Sequence, residues 1–173
     1  MTVVSCTRER HGAAILDILN DAIVHSTAVY DYQPRTPESM VAWFDAKERG
    51  GFPVIGVETD DGELAGFATY GTFRAWPAYK YTVEHSVYVH ARHRGRRLGL
   101  LLMQALIADA RRRGHHVLVG GIDSTNDASI ALHLKLGFEH AGTVRHAGFK
   151  FGRWLDLALY QLILDTPVDP VDG

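Results

Sequence analysis

The sequence predicts a mixed α/β domain, a mostly antiparallel sheet flanked by helices. Three observations predict it. Stretches of β-branched and alternating residues are interleaved with stretches of helical period. Asp60-Asp61-Gly62 is a hairpin signal that joins two strands in antiparallel fashion. The strand-helix-strand run from Tyr81 to Ile122 requires one parallel pair, because its crossover returns the chain in the same direction. The chain has 173 residues, 46% hydrophobic and 22% charged, enough for one domain with a sizeable core. That domain is expected over residues 1–165, with a Pro- and Asp-rich flexible tail at 166–173.

The expected element order is β-α-α-β-β-β-α-β-α-β-β. The first helix is read from Gly12 to about His25, where Ile15, Leu16, Leu19, Ala22 and Ile23 share a face. Thr36 caps a second helix with Pro37 at its first position and Met40, Val41 and Phe44 as its apolar stripe. Between them, Ser26 to Arg35 has no helical period and carries Tyr30 and Tyr32. Such a loop lines a pocket or simply covers the core. Val54–Val57 and Leu64–Tyr70 form the hairpin, and Tyr81–Val89 is a further strand. A helix follows over Leu98–Arg113, with Leu98, Leu101, Leu102, Ala105 and Leu106 inward and Gly114 as its stop. Val117–Ile122 is a strand, and Asp127–Leu136 is a short helix capped by Asn126 and closed by Gly137. The segments from Phe138 onward and from Trp154 to Leu164 complete the sheet, Leu155, Leu157 and Leu159 alternating with Asp156 and Tyr160.

Several function classes recede. A formal net charge of −2 gives no general attraction to nucleic acid or anionic membrane. No apolar run approaches the roughly 20 residues of a bilayer span, and no secretory signal pattern opens the chain, so a cytoplasmic protein is expected. The single Cys6 excludes an intrachain disulfide and reads as a small core residue. Ten histidines raise the question of a metal, but no metal-ligand spacing appears, and His85, His90 and His93 only flank a turn; no metal is expected.

The informative junction is Arg94-Gly95-Arg96-Arg97-Leu98-Gly99, where a strand feeds a helix. A helix start exposes unpaired N–H groups and a partial positive charge, so it attracts anions. Glycines let a backbone approach a ligand closely. Arg96 and Arg97 oppose the helix dipole, a penalty an anionic ligand such as a diphosphate would reverse. A Rossmann fingerprint and a P-loop are both absent. An ordinary Arg-rich β–α turn is the competing reading.

With Val87-Tyr88-Val89 before it, this turn resembles the acetyl-CoA motif of the GNAT N-acetyltransferase superfamily, Gln/Arg-x-x-Gly-x-Gly/Ala. Arg94 matches its first position and Gly99 its last, while Arg97 stands in place of the middle glycine. Asn126-Asp127-Ala128-Ser129 and Leu132 to Phe138 resemble the superfamily's pantetheine-bordering segment. Thr82 to Val89 and Gly148 to Asp156 resemble the phosphinothricin and methionine sulfoximine acetyltransferase branch.

The resemblance implies an acetyl-CoA-dependent N-acetyltransferase acting on the amine of a small amino-acid-like substrate of the phosphinothricin, methionine sulfoximine or methionine sulfone type. Attack would be direct, in a ternary complex. It implies cofactor contacts at Val87, Tyr88, Val89, Arg94, Gly95, Arg96, Arg97, Leu98, Gly99, Leu100 and Asn126, and by analogy a homodimer. Such chemistry needs a neutral amine, a polarised thioester and a stabilised leaving thiolate. Glu84, a carboxylate at mid-strand, is the candidate base, a surface carboxylate being the alternative. His133 stands where many members carry a tyrosine beside the departing sulfur, and an imidazole there can protonate the thiolate or hydrogen-bond it. Arg74, Ala75, Trp76, Glu84, His85, Ser86 and Tyr30 are the expected substrate contacts, Arg74 suiting a carboxylate. A protein, peptide or polyamine acetyltransferase and a non-catalytic acetyl-CoA-binding module are the alternatives.

Overall fold

The computed structural model describes residues 1–172. Its elements run β1 (Thr2–Ser5), α1 (Arg8–His25), α2 (Pro37–Arg49), β2 (Val54–Glu58), β3 (Leu64–Thr72), β4 (Thr82–Val89), α3 (Leu98–Arg112), β5 (Val117–Asp123), α4 (Asp127–Lys135), β6 (Glu139–Lys150) and β7 (Arg153–Ile163). The seven strands form one sheet in the order β1-β2-β3-β4-β5-β7-β6. The element order is the expected one, and so is the mixed sheet: β4 pairs parallel with β5, from Thr82↔Val117 to Glu84↔Val119, while β1–β2, β2–β3, β5–β7 and β6–β7 are antiparallel.

The chain forms two compact units, 1–70 with 86–106 and 71–85 with 107–173. In the first, Ile15, Leu16, Ile18 and Leu19 of α1 and Met40 of α2 join Cys6, Val54, Leu64 and Phe67 in one buried cluster. Burial pushes the Cys6 thiol up to about 12, which makes it an inert core group. In the second, β7 lies between β5 and β6, and Leu118, Ile122, Phe138, Leu155, Ala158 and Tyr160 are buried.

Three details differ from expectation. Helix α1 begins at Arg8, four residues before Gly12, because the Thr7 hydroxyl caps it by accepting from the Arg10 N–H at 3.3 Å. Its polar first turn is not without purpose: His11 is buried, accepting the Thr7 N–H at Nδ1 and donating from Nε2 to the Glu58 carboxylate at 3.0 Å. On α3 the buried hydrophobic residues are Leu98, Leu102, Met103, Leu106, Ile107 and Ala110, whereas Leu101 and Ala105 are half-buried. On β7 the buried set is Leu155, Ala158 and Tyr160 rather than Leu155, Leu157 and Leu159. The partner strand explains it: between Val144 and Gly148 the β6 register slips, so strict alternation is lost opposite Asp156, which accepts the His146 N–H at 2.8 Å.

The tail carries contacts of its own. The Thr166 hydroxyl donates to the His115 carbonyl, and the Tyr81 hydroxyl accepts the Val171 N–H at 3.1 Å. Gly173, its last residue, lies outside the described residues.

Candidate active site

The turn between β4 and α3 has the backbone of a phosphate cradle. Gly95 sits at φ +77°, in left-handed space that glycine enters freely. Arg97 sits at φ +61°, so the arginine that replaces the family's middle glycine still adopts a glycine-like conformation. For an L-residue this costs on the order of 1–2 kcal/mol, and it keeps the path of the turn. Arg92 and Arg94 are committed to ion pairs, with Glu63 at 2.5 Å and Asp21 at 3.2 Å. Arg96 and Arg97 are exposed and make no ion pair among the described residues. Leu98 is buried as the first anchor of α3, Gly99 and Leu100 are half-buried beside it, and no acidic residue occupies the first turn. Two uncompensated guanidiniums at the positive end of a helix are arranged for an anion. Upstream, Val87, Tyr88 and Val89 are half-buried. The Tyr88 carbonyl comes so close to Gly66 that a Cβ there would lie 2.7 Å from it.

Glu84 occupies the middle of β4. Much of its surface is exposed, yet the surrounding protein desolvates the carboxylate enough to raise its pKa above the ordinary value, with the Arg74 charge pulling the other way. It makes no hydrogen bond or ion pair among the described residues. Its Oε1 faces the backbone at Gly121, 3.5 Å from where a Cβ would stand. Arg74 therefore lies within electrostatic reach of Glu84. Its guanidinium covers the Phe73 ring at 4.4 Å and donates to the Phe73 carbonyl at 3.0 Å. Ala75 and Trp76 beside it are exposed, Trp76 by 75%.

One residue further along, strand alternation sends the side chain to the opposite face. His85 is buried, and its Nε2 lies 2.8 Å from Nε2 of His133 on α4. His133 is also buried, and its Nδ1 lies 2.7 Å from the Ser129 carbonyl oxygen. Burial first, and for His85 the neighbouring His133 second, pushes both rings toward the neutral form, His85 to about 3. The Val119 backbone acts the other way on His85, and Nδ1 of His85 has no hydrogen-bond partner among the described residues. Asn126 caps α4, its Oδ1 accepting the Ser129 N–H at 3.1 Å.

The structure thus brings together Glu84 with Arg74, and His85 with His133. The expected substrate residue His85 faces His133 rather than solvent. Ser86 is half-buried, and Tyr30, in the loop between α1 and α2, is 38% exposed. Sequence reasoning passed over Gly120 and Gly121. A Cβ at Gly120 would stand 2.8 Å from the His85 ring and 3.2 Å from His133 Nε2, so the bare backbone makes room for the pair. The signal was there: adjacent glycines inside a strand mark a close approach. The described residues also hold one cluster of metal-ligand type, Glu63, His90 and His93. The Arg92 guanidinium already neutralises the Glu63 carboxylate, which weakens it as a cation ligand.

This fold, and a glycine-bearing turn with free arginines at a helix start, belong to one class of protein. The sequence pattern of the Acetyltransferase (GNAT) family matches residues 14–138, and the chain belongs to that family. Among its relatives is the L-methionine sulfoximine/L-methionine sulfone acetyltransferase of Salmonella typhimurium, 44% identical over 91% of this chain and 92% of that protein. The solved structure of an N-acetyltransferase from Staphylococcus aureus Mu50 superposes with a TM-score of 0.91 at 48% identity, covering 94% of this chain and 97% of the other. A phosphinothricin acetyltransferase from Sinorhizobium meliloti, solved in complex with acetyl-CoA, superposes with a TM-score of 0.93 at 29% identity, covering 99% and 94%.

Proposed function

We propose that this acetyltransferase moves an acetyl group from acetyl-CoA to the amine of a small amino-acid-like substrate of the methionine sulfoximine, methionine sulfone or phosphinothricin kind. The observation that carries the reading is Glu84: a carboxylate at mid-strand without a hydrogen-bond or ion-pair partner among the described residues, its pKa raised by desolvation, with the Arg74 charge nearby. The activities of the relatives support the substrate class.

In this reading the pyrophosphate of acetyl-CoA rests on the amides of Gly95 to Gly99, with Arg96 and Arg97 balancing its charge. Backbone groups of Val87 to Val89 hold the pantetheine and polarise the thioester oxygen. Asn126 borders the cofactor while capping α4. Arg74 receives the substrate carboxylate, with Ala75, Trp76, Ser86 and Tyr30 as further contacts. Glu84 takes a proton from the substrate ammonium. The free amine attacks the thioester carbon, the C–S bond breaks with its electron pair leaving on the CoA sulfur, which His133 stabilises by hydrogen bonding, and the second proton of the attacking nitrogen passes to that sulfur, leaving the neutral amide and the thiol.

Residues 1–165 act as one N-acetyltransferase domain, supported by a family match that spans both compact units. A homodimer is part of the reading. Its support is the exposed apolar set Val144, Phe149, Phe151 and Trp154 on the β6–β7 hairpin, with β6 at the sheet edge. A cytoplasmic location goes with a lone cysteine thiol.

The test is CoA release with methionine sulfone, methionine sulfoximine and phosphinothricin, against peptides and polyamines. Turnover with the amino-acid analogues is expected. Turnover only with peptides or polyamines overturns the substrate assignment.

A further inference from the structure

We infer that His85 is a positioning residue for His133: it donates to Nε2 and, together with the Ser129 carbonyl at Nδ1, holds the ring as the neutral tautomer that carries its only proton on Nδ1. The inference deepens the reading above, because it states what His133 can offer a departing sulfur.

Counting protons settles the arrangement. The Ser129 carbonyl oxygen can only accept, so the 2.7 Å contact places a proton on His133 Nδ1. A neutral His133 then has a bare lone pair on Nε2. The 2.8 Å contact between the two Nε2 atoms needs one proton between them, and it comes from His85. His85 in turn has a bare Nδ1, the buried atom that lacks a partner. Two rings share two protons and carry no charge. The reverse tautomers would set a bare Nδ1 lone pair against the Ser129 carbonyl.

The surroundings favour this state. Phe138 lies against both rings, with centroids 5.2 Å from His85 and 5.0 Å from His133. Tyr160 lies 6.4 Å from His133 and 5.4 Å from His140, ring centre to ring centre. Glu84 is on the opposite face of β4. Among the described residues no carboxylate contacts the pair to stabilise a third proton, and burial opposes one. The bare backbone of Gly120 is what admits the two rings side by side.

The chemical consequence is specific. A neutral imidazole whose Nε2 is occupied by His85 can hydrogen-bond a thiolate through Nδ1–H, in place of the Ser129 carbonyl. It cannot deliver a proton as an imidazolium would. The pair therefore acts by orientation and polarity, not as a general acid.

Imidazole 15N spectra of histidine-labelled protein test this without any substrate, so the outcome does not depend on the acetyl acceptor. His85→Gln and His133→Gln variants assign the signals. The wild type is expected to show a protonated Nδ1 on His133, a protonated Nε2 on His85, no titration of His85 from pH 8 to 5.5, and any titration of His133 only below the ordinary imidazole range. In His85→Leu the Ser129 carbonyl still holds the Nδ1 proton, but the Nε2 lone pair of His133 loses its donor. Its Nε2 signal should move toward that of a lone pair without a donor, and kcat should fall about tenfold, on the scale of lost supporting hydrogen bonds, with little change in KM for acetyl-CoA. His85→Gln supplies an amide N–H and should restore the His133 Nε2 signal and most of kcat. An imidazolium at neutral pH or a protonated Nε2 on His133 in the wild type overturns the inference. So does an unchanged His133 spectrum in His85→Leu. Should that variant not fold, the wild-type spectrum and the His85→Gln rescue decide.

Discussion

Helices α3 and α4 begin in opposite electrostatic states. Helix α4 satisfies itself: Asn126 accepts the Ser129 N–H, and Asp127 places a negative charge in the first turn. Helices α1 and α2 do the same with Thr7 and Glu9, and with Thr36 and Glu38. Helix α3 has no acidic residue in its first turn, and Arg96 and Arg97 before it make no ion pair among the described residues. A free protein gains nothing from such a start. The difference teaches that α4's start is built for stability and α3's for a ligand that arrives with negative charge. One residue apart on β4 the same contrast recurs, since Glu84 has no hydrogen bond or ion pair among the described residues while His85 is bonded to His133.

The largest effect expected on this contrast comes from Glu84→Gln. Removing the base should lower kcat about 10²- to 10⁴-fold, while acetyl-CoA affinity and the melting temperature hold. Steady-state kinetics beside calorimetry checks it, and an intact kcat makes Glu84 a surface carboxylate after all. Because the Glu84 pKa is raised and its working form is ionised, wild-type kcat/KM should fall with decreasing pH on a limb above the ordinary carboxylate range. That limb should disappear in the variant.

On the self-satisfied side, Asn126→Ala should cost about 1 kcal/mol of stability by removing the cap of α4. Urea unfolding measures it. A loss confined to cofactor affinity would move Asn126 to the ligand side of the comparison. The smallest effect is expected from Arg97→Gly. It relieves the left-handed strain at φ +61° and removes a cation from the helix start, at the cost of a more flexible unfolded chain. The net should be a stabilisation of about 0–1 kcal/mol, read as a small rise in melting temperature. A clear drop would mean that the Arg97 side chain supports the turn.

Much of this was legible before any coordinates. The hairpin at Asp60-Asp61-Gly62, the caps Thr36 and Asn126, and the β4-α3-β5 crossover depend on local chemistry, which one sequence carries. The start of α1 was missed because Arg8 to His11 are polar, and a period of apolar residues cannot register a turn held by a Thr cap and a buried His–Glu contact. The β7 pattern was missed because its alternation is broken by a slip in β6, a property of the partner strand. At the site, Arg97 read as a departure from the family motif, and only the backbone reveals that it adopts the glycine conformation. Alternation separated Glu84 from His85, but that His133 awaited on the buried face, with Gly120 making the room, is a tertiary fact.

The most direct measurement is acetyl-CoA titration calorimetry on the wild type and on Arg96→Glu with Arg97→Glu, alongside melting of both free proteins. The account predicts opposite signs. Carboxylates at the start of α3 should hold or raise the melting temperature of the free protein, while acetyl-CoA affinity falls about tenfold or more. Affinity within twofold of the wild type would contradict it, and the turn from Arg94 to Gly99 would then be an ordinary Arg-rich connection.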